Sequence, residues 1–212
     1  MIALKKFKNP AYIIIILTFA FIFLFMISSC QVTAKNVSTE ITMDNGEAGI
    51  LADNNAVDFY FYYPENFTLD KNAAMISIYI NDSEVLTMDK EAPDSGENFT
   101  VLTKPNLSAT AFGLPDGMYE TIDDYWNNFA VPYREEVFQD VVNASSEDLT
   151  VADLPAKKYI YTFSSMGMKY KIAEVVFFRE RQVYILTYTA PEDKFDKYAN
   201  VLDTAAETFK FK

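Results

Sequence analysis

Cys30 is the only cysteine in the chain, and it closes a segment in which residues 11–27 are apolar apart from Thr18 and Lys5, Lys6 and Lys8 carry the only charges. A basic start, a short apolar run and a small-residue exit, here Ser28 and Ser29, form the pattern of an export signal. The expected signal, residues 1–29, is therefore set aside from the fold. A chain whose one cysteine heads the remainder has no intramolecular disulfide framework, so its fold must be held by burial. Roughly 150–180 residues suffice for one such core. The absence of histidine excludes Ser-His-Asp and Cys-His catalysis and the usual Cys/His zinc sites.

The segment resembles a bacterial lipoprotein signal. Ile27-Ser28-Ser29-Cys30 is similar to a lipobox, whose cysteine is diacylated and becomes the mature N-terminus. The resemblance implies lipid attachment at Cys30 through palmitate-type chains, each buried methylene contributing roughly 0.8 kcal/mol. It also implies a domain anchored on the extracytoplasmic face of the bacterial cell membrane. Left uncleaved, residues 11–27 lie at the short end of what spans a bilayer, and the lysines give the same topology.

With 30 acidic and 18 basic side chains the formal net charge is −12, which lacks the basic footprint that nucleic acid requires. The charge is uneven: residues 30–149 hold 22 acids and 5 bases, and residues 150–212 hold 8 acids and 10 bases. Such polarity steers partners.

Residues 30–55 are rich in Thr, Asn, Ser, Asp, Glu and Gly without a sustained apolar period, which predicts a lipidated, flexible tether. Asp44-Asn45-Gly46-Glu47 reads as a turn rather than a calcium loop, since the alternating oxygen ligands and the closing glutamate are missing. Residues 56–212 form the expected globular domain. Strands are predicted at 57–62, with Pro64 stopping the run, at 75–80 and at 99–103. Ile122, Tyr125, Trp126 and Phe129 share one helical face, with Thr121 and Asp124 as a capping pair and Pro132 as the C-terminal limit. Short strands are expected at 137–142 and 149–154, then a meander of 159–163, 172–178 and 182–189. Thr189 and Glu192 read as a capping box with Pro191 in the first turn, ahead of a helix striped by Phe195, Tyr198, Ala199, Leu202 and Ala206. The order predicts an α+β fold, an antiparallel β-sheet packed with helices.

Several of these stretches resemble the PsbP-like family, named for an extrinsic subunit of photosystem II. Tyr62-Tyr63-Pro64-Glu65-Asn66-Phe67 is similar to the family's Tyr-Pro-x-x-Trp opening, with Phe67 in place of tryptophan. Leu154-Pro155-Ala156 is similar to its lead into a central strand. The run from Tyr184 to Pro191, then Phe195, then Thr208-Phe209-Lys210-Phe211, resembles its closing helix and aromatic tail. The resemblance covers roughly residues 56–212 and implies a PsbP-like sandwich around an antiparallel sheet. The histidine ligands proposed for photosynthetic members have no counterpart here.

Two clusters qualify as candidate sites. Lys157, Lys158, Lys169 and Lys171 flank a predicted turn and would form a basic contact patch for anionic polymers or headgroups if paired side by side; alternatively they blunt an edge strand. Asp82, Glu84, Asp89, Glu91, Asp94 and Glu97 offer hard oxygen ligands suited to Ca2+, or simply form a solvated loop. For catalysis, Asp123-Asp124 and Glu135-Glu136 are adjacent pairs that point apart on a helix, and no nucleophile elbow or phosphate-cradling glycine loop is present. The expectation is a membrane-anchored, non-enzymatic binding or accessory subunit of an envelope complex with a protein partner and no cofactor. A small-ligand or divalent-cation carrier is the alternative, and a carboxylate-dependent hydrolase the remaining one.

Overall fold

The structure is a computed structural model that describes residues 37–70, 75–80, 104–114, 118–165 and 167–212. The described residues all lie within one compact unit, Thr33–Lys212.

The domain starts earlier than the sequence indicated. Strands β1 (Glu40–Thr42) and β2 (Ala48–Asp53) lie inside the stretch expected to be a tether. Their hairpin closes through Asp44-Asn45-Gly46-Glu47, where Gly46 takes φ +83° and the Met43 N–H donates to the Glu47 carbonyl at 2.9 Å. The turn expected there is thus present. β2 pairs antiparallel with β3 (Phe59–Pro64), and Ala52 is fully buried. The polar composition of 37–55 belongs to an exposed hairpin rather than to an unstructured linker. With β11 (Lys210–Phe211) these strands form a small sheet in the order β1-β2-β3-β11.

The large sheet takes the order β4-β5-β6-β10-β9-β8-β7, every neighbouring pair antiparallel. Its strands are β4 (Phe67–Leu69), β5 (Ile76–Ile80), β6 (Asn106–Gly113), β7 (Gln139–Val151), β8 (Leu154–Ser165), β9 (Met168–Arg179) and β10 (Gln182–Pro191). The predicted 99–103 strand lies outside the described residues. The expected pair of short strands at 137–142 and 149–154 is replaced by the single β7. Its end is set by Ala152 and Asp153, both left-handed at φ +48° and +64°, which make a two-residue hairpin into β8.

Alternation along the strands sorts the core into two layers. On one face, Ala156, Val175, Phe177, Leu186 and Tyr188 pack with Phe59, Phe61 and Tyr63 of β3 and with the C-terminal helix. On the other, Tyr159, Tyr161, Phe163, Tyr170, Ile172 and Val183 pack under Tyr125, Trp126 and Ala130. The α+β class expected from the sequence, an antiparallel sheet packed with helices, is what the chain forms.

The helix over the second face runs on beyond Pro132. It consists of α1 (Ile122–Tyr125), a π-turn (Trp126–Ala130) and α2 (Val131–Val137). A proline ring crowds the carbonyl four residues back and offers no N–H; the wide turn immediately before it gives that room. Thr121 caps α1 by accepting from the Asp124 N–H at 3.0 Å, as its spacing predicted.

The C-terminal helix, α3 (Phe195–Tyr198) followed by α4 (Asn200–Thr208), begins later than the expected capping box. Thr189 and Pro191 belong to β10, and Glu192 donates its N–H to the Lys169 carbonyl at 3.0 Å, prolonging the ladder. Phe195, Tyr198, Leu202 and Ala206 are buried as the stripe predicted, joined by Val201 and Ala205, with Ala199 half-buried.

Candidate functional site

Beneath the α1–α2 helix the sheet carries charge in its apolar layer. Glu174 stands between Ala173 and Val175 on β9, and its carboxylate is buried under Arg134 of α2. Arg134 forms an ion pair with Glu174 and donates from Nε to the Tyr161 hydroxyl at 2.8 Å, which itself donates to Glu174 at 3.0 Å. The guanidinium lies 4.4 Å from the Trp126 ring centre and 4.9 Å from that of Tyr161, within cation–π range. Trp126 in turn stacks flat on Tyr159 at 3.6 Å. The Tyr159 hydroxyl donates to Asp123 at 3.0 Å, and Lys157 donates to the other oxygen of Asp123 at 2.7 Å. One continuous network therefore runs from the buried Glu174 to the start of α1.

Its electrostatics follow from burial. Desolvation raises the Glu174 carboxyl above the ordinary carboxylate range, while Arg134 and the Tyr161 hydroxyl pull it back. Burial is the largest single influence on Arg134 and opposes its charge, but Glu174, Tyr161 and Tyr125 together outweigh it and raise its pKa. The Tyr161 and Tyr159 phenols are raised by desolvation and then by Glu174 and Asp123 respectively, so both remain protonated donors. At the exposed end the bond from Lys157 holds Asp123 below its usual value. The arrangement fixes the helix on the sheet with its charges spent on one another.

The basic patch is not assembled. Lys157 and Lys158 face Val176 and Val175 across the β8–β9 pair, whereas Lys169 and Lys171 face Ser164 and Thr162 at its other end. Successive side chains on a strand point to opposite faces, so Lys157 and Lys158 are also separated by the sheet. Lys158 pairs with Asp203 of α4 at 2.6 Å and Lys171 with Asp196 of α3 at 3.1 Å; Lys169 is exposed. Asp123 and Asp124 turn to different partners, Asp124 accepting from the Glu120 N–H at 3.3 Å. Asp82, Glu84, Asp89, Glu91, Asp94 and Glu97 lie outside the described residues, as does Cys30. Among the described residues no three acidic side chains converge to hold a metal ion.

Sequence reasoning missed the Arg134–Glu174 pair. Arg134 precedes Glu135 and Glu136 and reads as part of a solvated face. The signal available was Glu174, a lone carboxylate in the otherwise apolar middle of β9.

No family model matches the chain, and no curated protein matches it significantly. Solved structures do resemble it. LpqN of Mycobacterium tuberculosis, described as involved in cell envelope biogenesis, is 12% identical, with a TM-score of 0.48 over 82% of this chain and 90% of that one. The cyanobacterial PsbP of Synechocystis is 13% identical, with a TM-score of 0.46 over 87% of this chain and 98% of its own. A protein of unknown function from Pseudomonas aeruginosa is 11% identical, with a TM-score of 0.44 over 74% and 92%.

Proposed function

We propose that the protein is lipid-anchored at Cys30 on the extracytoplasmic face of a bacterial cell membrane and serves there as a non-enzymatic binding or accessory subunit of an envelope complex. The observation that carries this reading is Cys30 itself, the lone cysteine placed behind a basic and apolar leader with Ile27, Ser28 and Ser29 before it. The inward use of the buried charges supports a binding role, because Arg134, Glu174 and Tyr161 are committed to one another. What the domain then offers a partner is its surface.

The test is crosslinking of the anchored protein in its own cells, with mass spectrometry of what is captured and Cys30→Ala as the control. One or two reproducible captures that require Cys30, with the variant released from the membrane fraction, are expected. A variant that stays with the membrane overturns the lipid anchor, and the absence of any anchor-dependent capture overturns the accessory role.

A further inference from the structure

Strand β7 forms one edge of the large sheet and pairs only with β8 among the described residues. Pairing is irregular between Gln139 and Val142 and between Asn143 and Ser145, which protects that half of the edge against strand addition. From Ser145 to Val151 the register is unbroken, from Ser145 opposite Ile160 to Val151 opposite Leu154. Ser145, Ser146, Glu147, Asp148 and Thr150 are all exposed there. A regular exposed edge displays a row of backbone donors and acceptors ready to receive another strand.

Charge selects the occupant. Each lysine on β8 opposite this stretch faces two acids. Lys157 sits 2.7 Å from Asp123 and 3.5 Å from Asp148; Lys158 sits 2.6 Å from Asp203 and 3.5 Å from Glu147. The nearer acid in each case comes from a helix, so surplus negative charge remains on the β7 side of both sheet faces. Asp148 and Glu147 keep 84% and 64% of their side-chain surface in water. Asp140 adds to the sign, and β7 carries no base. A second copy of the same edge meets like charge and is repelled.

We infer that residues 145–150 of β7 are a docking edge for an extended cationic segment of a partner protein, added as a further strand with its Lys or Arg side chains against Glu147 and Asp148. This deepens, and rests on, the binding role proposed above.

The probe is a nine-residue peptide of the repeat lysine–lysine–valine, whose adjacent lysines reach both faces of an added strand, with a glutamate–glutamate–valine repeat as the control, added to the full-length protein in detergent. Amide hydrogen exchange of residues 145–150 is expected to slow with the cationic peptide alone. Glu147→Gln with Asp148→Asn removes two exposed charge contacts and is expected to weaken the peptide by about two- to thirtyfold. Equal protection by both peptides, protection elsewhere that leaves 145–150 unchanged, or an undiminished affinity in the double variant overturns the assignment. If cellular crosslinking captures partners while β7 stays unprotected, the docking edge alone fails; if neither occurs, the binding role fails with it.

Discussion

Lys157 and Lys158 are neighbours in sequence, yet they hold helices on opposite faces of the sheet: Lys157 donates to Asp123 of α1 at 2.7 Å and Lys158 to Asp203 of α4 at 2.6 Å. The two contacts share no side chain, so they should act independently. Asp123→Ala and Asp203→Ala are each expected to lower Tm slightly, as exposed pairs do, and the double variant to lose the sum. The Asp123 contact adds a pH dependence. Its pKa is depressed in the folded state by Lys157, so its contribution is complete above the unfolded value of about 3.9 and disappears as pH falls through the lower folded value. Thermal melts of the single and double variants at neutral and strongly acidic pH check both points.

The Arg134–Glu174 pair predicts a sharper asymmetry. Arg134→Met strands a buried carboxylate and is expected to cost roughly 3–5 kcal/mol, whereas replacing both members, Arg134→Met with Glu174→Leu, is expected to regain much of that loss. The Tyr161 hydroxyl then lacks its acceptor, which leaves a residual cost of about 1–3 kcal/mol. Urea unfolding at neutral pH separates the three proteins. Equal losses for the single and double changes would show that packing, not the stranded charge, sets the cost.

Burial of Glu174 also fixes the sign of a second pH effect. Its folded-state pKa is raised above the unfolded value of about 4.3, so between those two values the native state binds more protons than the unfolded one. Stability should therefore decline as pH rises through that window. Measured across the window, the Arg134→Met, Glu174→Leu double variant should lack this component. A wild-type curve that rises with pH there, once the opposite contribution of depressed groups such as Asp123 is subtracted through their own variants, would mean that Arg134 outweighs the desolvation.

What was legible in the sequence follows from how each element meets solvent. The β9 and β10 strands are buried on both sides and read as apolar runs, and the α3–α4 stripe reads from Phe195, Tyr198, Leu202 and Ala206. β7 did not read as one strand because an exposed edge places Ser145, Ser146, Glu147 and Asp148 in a row, where the polar sequence imitates a loop. β6 was missed because its inward side chains include Ala109, whose small bulk gives little periodic signal. The candidate site was hidden for another reason. Arg134 and Glu174 stand 40 residues apart and meet only when α2 closes over β9. Nothing in the spacing of the lysines could show that Lys157 and Lys158 serve different helices until β8 had faces.

Trp126 is the chain's only tryptophan, which makes the helix-to-sheet layer observable by itself. Its ring lies 3.6 Å from Tyr159 at an interplanar angle of 3° and is 6% exposed. Trp126→Ala is expected to cost about 3–5 kcal/mol through lost burial and an unfilled cavity, and Trp126→Phe less, since an aromatic face remains for Tyr159. In the unaltered protein, denaturation followed by Trp126 fluorescence should coincide with the loss of sheet measured by circular dichroism. An earlier fluorescence transition would mean that α1–α2 leaves the sheet before the sheet itself unfolds.

Lys212 makes the last prediction, because it joins the small sheet through an unusual burial of a lysine. Its side chain is 1% exposed, its ammonium lies 2.6 Å from Asp53, and it donates to the carbonyls of Asn54 and Val57 at 2.9 Å each. A buried ammonium is tolerated only when its donors are met, and here three oxygens from the β2–β3 connection meet them. Lys212→Met keeps most of the stem's packing but removes the ammonium from Asp53 and the Val57 carbonyl, while the Asn54 carbonyl keeps the Val57 N–H at 3.1 Å, so it should destabilise by about 1–3 kcal/mol, close to the effect of Lys212→Ala. The loss should be local. Amide exchange of β2 and β3 is expected to accelerate while β8, β9 and β10 keep their protection, since among the described residues the lysine's polar partners lie at the β2–β3 connection. If Lys212→Met proves neutral while Lys212→Ala is costly, the methylene stem rather than the ammonium anchors this corner of the fold.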